Sequence, residues 1–281
     1  MFKTRLLSGI LLVAIALATI IPGNDILFAL LLLISLIGMS ELYKVSRLQT
    51  SLPGIVGYVA AVAYYLLLRL QIKGPGESEV LQYIDGQGLA LIVIAFLIVL
   101  MAVYVFSYPK YVSDEMMLIF FGVFYVAVML SYVYQTRMIP KEGTYLVWLV
   151  FLCSWGCDTC AYCVGVLIGK HKMAPKLSPK KSVEGAVGGV VGAALLGALY
   201  AVAVNHFGNA SAEPLLYAVI CGVGGLISMV GDLAASAIKR NHNIKDYGKL
   251  IPGHGGILDR FDSVIFTAPI IYYLSVFLFH M

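Results

Sequence analysis

The chain has 281 residues, of which 60% are hydrophobic and only 12% charged, with a mean hydropathy of +0.91. A soluble domain carries about 25% charged residues, so this composition excludes an ordinary water-soluble globule and points to a protein solvated mainly by lipid. The formal net charge of +4 is modest and no nucleic-acid partner is expected, while five cysteines without paired extracellular spacing do not make a disulfide framework.

A membrane-spanning helix needs about 20 mostly apolar residues. Nine stretches qualify or nearly so, at roughly 5–21, 26–43, 53–70, 88–107, 116–135, 144–168, 184–204, 214–238 and 262–280. The first follows a basic start, as in a signal peptide. It lacks a clear small-residue cleavage site and many spans follow, so it is expected to be retained. Turn chemistry separates the spans at Pro22-Gly23-Asn24, Gly74-Pro75-Gly76, Asp85-Gly86, Pro140 and Pro252-Gly253. The fold class expected is all-α, a polytopic bundle of about nine transmembrane helices. Residues 1–143 read as a five-span scaffold. Residues 144–281 read as a four-span catalytic region with two long loops, 169–183 and 239–261.

With a cytoplasmic N-terminus, fifteen of the 19 Lys and Arg residues fall on the cytoplasmic side. Arg69, Lys73, Arg137 and Lys141 remain on the other. This asymmetry favours that orientation by the positive-inside rule. The first five spans are nearly free of polar residues at mid-depth, and Glu41 and Lys44 lie near a helix end where snorkelling is cheap.

The second half differs. Asp158 lies in the sixth span, with Ser154, Ala161, Tyr162, Gly165 and Gly169 assigned to its face at helical spacing. Cys153, Cys157, Cys160 and Cys163 imitate iron–sulfur spacing, but on a continuous apolar helix they read as small buried hydrophobes. The seventh span carries Gly185, Gly189 and Gly192 at close-packing spacing. In the eighth, Gly225, Ser228, Asp232, Ser236 and Lys239 form one small, polar and acidic stripe suited to a wet cavity. An intramembrane carboxylate is expensive and is by default a functional hypothesis.

Two loops complete the constellation. Ser178, Lys180 and Lys181 precede the seventh span, where cations beside a helix N-terminus suit a phosphate; Glu184 is placed to cap that helix. The second loop carries Lys239, Arg240, Lys245 and Asp246, then Pro252-Gly253-His254-Gly255-Gly256 and Asp259-Arg260-Phe261-Asp262. A glycine-rich turn lets backbone N–H groups approach a phosphate. Asp232 and Asp259, with Asp262 as a further candidate, offer the hard oxygen ligands that Mg²⁺ takes alongside substrate phosphate. Acids for metal, bases for phosphate and a membrane cavity together imply phosphoryl or nucleotidyl transfer onto a lipid.

Ser236-x-Ile238-Lys239-Arg240, Lys245-Asp246 and Pro252-x-His254-Gly255-Gly256-x-x-Asp259-Arg260-Phe261-Asp262 resemble the signature of the phosphatidate cytidylyltransferase, or CDP-diacylglycerol synthase, family. A second block, from Asp158-Thr159 through Gly169-Lys170 to Ser178-Pro179-Lys180-Lys181, is similar to another segment of that family. Where the family more often has Thr-Trp, this chain has Ser182-Val183, which keeps the hydroxyl and loses the indole.

The resemblance implies CTP and phosphatidate as substrates, CDP-diacylglycerol and pyrophosphate as products, Mg²⁺ with K⁺ beside it, and a homodimer. The implied setting is the prokaryotic cell membrane with the active site facing the cytoplasm. It assigns Asp232 and Asp259 to the metal. Lys239, Arg240 and Arg260 join them as catalytic residues. Asp158, Ser178, Lys180, Lys181, Lys245, Asp246, His254, Gly255 and Gly256 are assigned to nucleotide or phosphate binding. The rival readings are a CTP-dependent lipid kinase of the dolichol-kinase kind, a proton-coupled transporter using Asp158 and Asp232, and an anionic-lipid-binding structural protein.

Overall fold

The computed structural model describes residues 2–73, 88–208, 210–253 and 255–279. Among these are nine helices: α1 Phe2–Ile20, α2 Asn24–Lys44, α3 Leu52–Lys73, α4 Gly88–Phe106, α5 Ser113–Arg137, α6 Gly143–Ile168, α7 Val183–Phe207, α8 Pro214–Asn241 and α9 Leu258–Leu278. The helices α2 to α9 are long and apolar enough to cross a membrane, and α1 contributes a shorter apolar stretch, Ser8–Ile20. The polytopic helical bundle expected from the sequence is therefore the fold. The turns expected at Gly74-Pro75-Gly76 and Asp85-Gly86 lie outside the described residues.

One departure from an all-α chain occurs in the 169–183 loop. Strand β1, Lys172–Ala174, pairs antiparallel with β2, Ser178–Ser182, with Lys172 opposite Ser182 and Ala174 opposite Ser178. The chain forms two compact units. The first comprises Met1–Gln135 and Tyr247–Leu258, the second Thr136–Asp246 and Asp259–Met281.

In the first unit the core is aromatic. The Tyr43 ring lies against Gly57 and Gly122, whose missing side chains leave it room, and its hydroxyl donates to the Ile119 carbonyl at 2.8 Å. Tyr65 pairs with Ser35 at 2.8 Å and Tyr64 with Ser131 at 3.0 Å. These bonds matter because a buried hydroxyl without a partner is costly. The helix α5 contains a π-turn at Val123–Val128.

In the second unit the packing is built on small residues, as it must be when apolar side chains gain nothing by leaving lipid. Along α7 a Cβ at Gly185 would stand 2.7 Å from the Ala161 carbonyl oxygen, and one at Gly189 would stand 3.0 Å from that of Cys157. The backbones of α6 and α7 are therefore in direct contact. The cysteines of α6 occupy glycine-made hollows: Cys153 faces Gly224, Cys157 faces Gly189 and Gly225, and Cys160 faces Gly192. All five cysteines are free. No group of three or more His, Cys, Asp or Glu side chains able to hold a metal ion occurs among the described residues. Cys153, Cys157 and Cys160 of the run are therefore packing residues, whereas Cys163, expected to be buried with them, is exposed.

Candidate active site

A cavity of ≈ 570 Å³ lies in the second unit, where α6, α7, α8 and the β1–β2 hairpin meet. Asp158 and Tyr162 reach it from α6, Asp232 from α8, and Lys172, Ser178, Lys180 and Lys181 from the hairpin. The sequence-predicted acids of two different spans and the lysines of the 169–183 loop therefore share one hollow. A larger cavity of ≈ 820 Å³ lies in the first unit between α2 and α3, and its walls are mostly apolar.

The local structure explains how the groups arrive there. A π-turn at Leu152–Gly156 adds a residue to α6 immediately before Cys157-Asp158, and such turns frequently accompany functional sites. Beyond it, Asp158, Ala161, Tyr162 and Gly165 share the cavity face. Ser154, expected beside Asp158, is instead buried and donates to the Val150 carbonyl at 2.9 Å. Regular helical spacing fails across the π-turn because the extra residue rotates everything after it.

The hairpin holds Lys180 and Lys181 in extended backbone directly before α7. Ser182 is the N-cap of that helix, accepting the Gly185 N–H at 3.1 Å. Glu184 does not serve as the expected cap. It accepts from the backbone N–H groups of Lys170 and His171, at 3.0 and 3.2 Å, and pairs with the His171 ring. The hairpin is thereby tied to the first turn of α7 at both ends.

Charge pairing dominates the site. Lys181 forms an ion pair with Asp232, each side chain about a quarter exposed. Lys239 Nζ lies 2.8 Å from Asp259 Oδ1, with 12% and 2% of those side chains exposed. Asp158, Asp232 and Asp262 are within electrostatic reach of one another, with Lys181 and Arg260 acting on Asp158 and Lys239 on Asp262. Asp262 Oδ1 also accepts the Ser263 N–H at 2.8 Å. A Cβ on Gly231 would stand 2.8 Å from the Asp262 carbonyl oxygen, so α8 and α9 touch at the residue next to Asp232. Across the same unit the Trp155 indole N–H donates to the Arg260 carbonyl at 3.4 Å.

The donors suit a hard divalent cation in kind, although no three of them come together to hold one among the described residues. They are carboxylates alone, and two of them, Asp232 and Asp259, already draw an ammonium group to themselves. The cationic charge those carboxylates require is supplied here by Lys181 and Lys239.

Within the second unit, the predicted residues Arg240, Lys245 and Asp246 do not line the cavity. Arg240 donates to the Ile244 carbonyl at 3.2 Å, and Lys245 and Asp246 are exposed. Gly255 and Gly256 belong to the first unit, where Gly255 and Ile251 exchange backbone hydrogen bonds of 2.8 and 3.2 Å. His254 lies outside the described residues.

Residues 3–278 match the cytidylyltransferase family. The chain belongs to that family. Among curated relatives, a phosphatidate cytidylyltransferase of Staphylococcus epidermidis is 32% identical over 275 residues, covering 98% of this chain and 99% of the relative. That of Bacillus subtilis strain 168 is 30% identical over 276 residues, 97% of each chain. That of Staphylococcus aureus strain COL is 29% identical over 280 residues, covering 98% and 99%. The likeness thus extends through the five N-terminal spans of this cytidylyltransferase, beyond the C-terminal motifs that first indicated the family.

Lys172 of the second unit and Glu41 of the first escape motif reading, whereas Tyr162 was expected on the Asp158 face. Lys172 and Tyr162 line the cavity. Lys172 is one more lysine in a basic loop until strand pairing places it opposite Ser182. Glu41 is buried, and its carboxylate accepts the backbone N–H groups of Ile257 at 3.1 Å and Leu258 at 2.8 Å. The signal available for Glu41 was a lone acid in an otherwise apolar span, the same signal that singled out Asp158 and Asp232.

Proposed function

We propose that this cytidylyltransferase transfers the cytidylyl group of CTP to phosphatidate, forming CDP-diacylglycerol and releasing pyrophosphate. One observation carries the reading: Asp158, Asp232, Ser178, Lys180 and Lys181 converge on a single cavity in a unit made of membrane-crossing helices. Two polyanionic substrates repel each other, so the site must neutralise charge before a bond can form, and it must do so beside lipid. The relatives named above carry the same activity in their names.

In this reading a phosphatidate phosphate oxygen attacks the α-phosphorus of CTP in line. A new P–O bond forms as the bond to the β-phosphate oxygen breaks, and that electron pair leaves on pyrophosphate. The phosphatidate phosphate is already anionic at neutral pH, so no general base is required. Lys180, Lys181, Lys239, Arg240 and Arg260 supply positive charge to the leaving group and the lipid phosphate. Asp232 and Asp259, with Asp262 beside them, are the residues that would hold Mg²⁺. Bound there, the ion would offset phosphate charge and polarise the reacting phosphoryl group. In this reading the glycine turn at Gly255 and Gly256, with His254, takes a phosphate, and Lys245 and Asp246 contribute to nucleotide or phosphate binding.

The excess of Lys and Arg on one set of loops supports an active site facing the cytoplasm, where CTP arrives from water and phosphatidate from the bilayer. The homodimer and a K⁺ ion beside Mg²⁺ rest on the family resemblance. The outward Val187, Val191, Leu195 and Leu199 of α7 form an apolar stripe suited to lipid or to a second copy.

The test is turnover of CTP and phosphatidate by purified protein, with and without Mg²⁺. Equimolar pyrophosphate and CDP-lipid are expected. Release of CDP with a phosphorylated lipid would assign the chain to the kinase reading, and no nucleotide turnover at all would leave only a binding or transport role.

A further inference from the structure

Glu41 stands out among the groups to which the proposed chemistry gives no task. It is the one buried acid among the described residues of the first unit, on a helix that otherwise reads as scaffold. Its two carboxylate oxygens accept from two successive backbone N–H groups, those of Ile257 and Leu258. It is also closely sheathed by glycine. A Cβ at either Gly248 or Gly256 would overlap the Glu41 carboxylate, so both positions are shaped to admit it. The segment between those glycines is folded on itself through the Ile251–Gly255 bridge, and Ser8 Oγ donates to the Pro252 carbonyl at 3.2 Å. One carboxylate therefore meets both ends of the 248–256 turn and the two residues that follow it.

From this geometry we propose that Glu41 is a positioning residue, a carboxylate clamp that sets the conformation of the glycine turn and hence the direction of its N–H groups. The functional half rests on the reading above, in which the glycine turn takes a nucleotide phosphate. A phosphate-binding turn made of glycine has little stiffness of its own, because glycine has the widest choice of backbone angles. Stiffness must come from outside, and an acceptor with two equivalent oxygens can hold two N–H donors at once. A glutamine in its place would present one oxygen and one NH₂ group, which turns one of the two hydrogen bonds into a donor facing a donor. An aspartate would fall one methylene short of both. Leu258 is the first residue of α9, and Asp259 follows it directly in the chain.

Glu41→Gln conserves shape and removes the second acceptor. Losing one hydrogen bond to a charged group corresponds to about 10-fold or more in an equilibrium constant. The variant is therefore expected to raise KM for CTP by about that factor and to leave KM for phosphatidate unchanged. A purely structural role gives a different signature, since a smaller folded fraction lowers the maximal rate and moves neither KM. Gly256→Ala drives a methyl group into the same carboxylate and should raise the same KM from the other side. The double variant should be no worse than the more impaired single one.

Hydrogen–deuterium exchange of residues 248–258 in both variants supplies a readout independent of turnover, with faster exchange expected there and wild-type exchange in α6 to α8. An unaltered KM for CTP in Glu41→Gln, or unaltered exchange in both variants, would overturn the proposal. A wild-type protein that does not turn over CTP would defeat the functional reading, and the exchange result would then decide the clamp by itself. If Glu41→Gln does not yield folded protein, Gly256→Ala carries the same two measurements.

Discussion

Lys239→Met probes the pair on which the start of α9 depends. Lys239 and Asp259 lie 2.8 Å apart with 12% and 2% of their side chains exposed, so solvent screens them little. At an effective dielectric constant of about 20, two unit charges at that separation attract by about 6 kcal/mol, before the cost of stripping water from both. Removing one member of a buried pair costs roughly 3–5 kcal/mol, because the remaining charge keeps its desolvation penalty and loses its compensation. Lys239→Met and Asp259→Asn should each destabilise the folded protein by an amount of that order. Lys239→Met combined with Asp259→Asn leaves neither charge buried, and it should be more stable than the sum of the single effects by about 2 kcal/mol or more. The assay is a double-mutant cycle of unfolding in one detergent, with turnover measured alongside. Turnover should fall in all three variants, since both residues are placed in the site, whereas stability should recover in the double. Additive losses, within about 0.5 kcal/mol, would refute the claim that the pair is a coupled buried unit.

Four further outcomes are expected. Asp232→Asn should lower pyrophosphate release by about 100-fold or more and leave the elution profile in detergent unchanged; near-normal turnover would remove Asp232 from the site. Lys181→Gln frees Asp232 from its ammonium partner, so Mn²⁺ binding followed by electron paramagnetic resonance should tighten by about 5-fold or more while turnover drops. Ser182→Ala removes the acceptor for the Gly185 N–H and should cost about 1 kcal/mol, read as faster hydrogen exchange in the first turn of α7. Gly231→Ala places a methyl group against the Asp262 carbonyl and should cost roughly 1–3 kcal/mol, with a loss of turnover from the displaced Asp232–Asp262 geometry.

The helices were legible because a bilayer imposes about 20 apolar residues per crossing, a demand with no parallel in a soluble core. The starts of α2 to α8 fall within three residues of the spans read from hydropathy, and α9 begins four residues early at Leu258. That early start belongs to a polar stretch, Leu258 to Asp262, which hydropathy cannot assign to a helix. Asp158 and Asp232 were legible as intramembrane acids, and the resemblance of their motifs to one family agreed with the family match. The details between elements were not legible. The π-turn before Asp158 has no compositional mark, so the burial of Ser154 away from the cavity lining could not be read from regular helical spacing. The hairpin is rich in lysine, carries two prolines and is bridged at two residue pairs, with none of the alternation that announces a strand. Glu41 read as a snorkelling acid because its partners stand 216 and 217 residues away in the chain. No local pattern can report such a contact.

The same distances explain why the charges of the second unit look ill-chosen until they are paired. An isolated carboxylate in a low-dielectric setting costs several kcal/mol, and α6, α8 and α9 bring three of them within reach of one another. Such a cluster can persist only if cations come with it. The chain brings them from two places, Lys181 from the hairpin and Lys239 from the end of α8. Each lysine is thus a counter-ion that permits the acids to lie where they do and, in the proposed reaction, also a group for a phosphate. Substituting either one changes stability and phosphate handling together, so activity alone cannot apportion its role. Measuring stability, metal affinity and turnover on the same variants separates the two: a counter-ion is replaced by neutralising its acid, and a phosphate ligand is not.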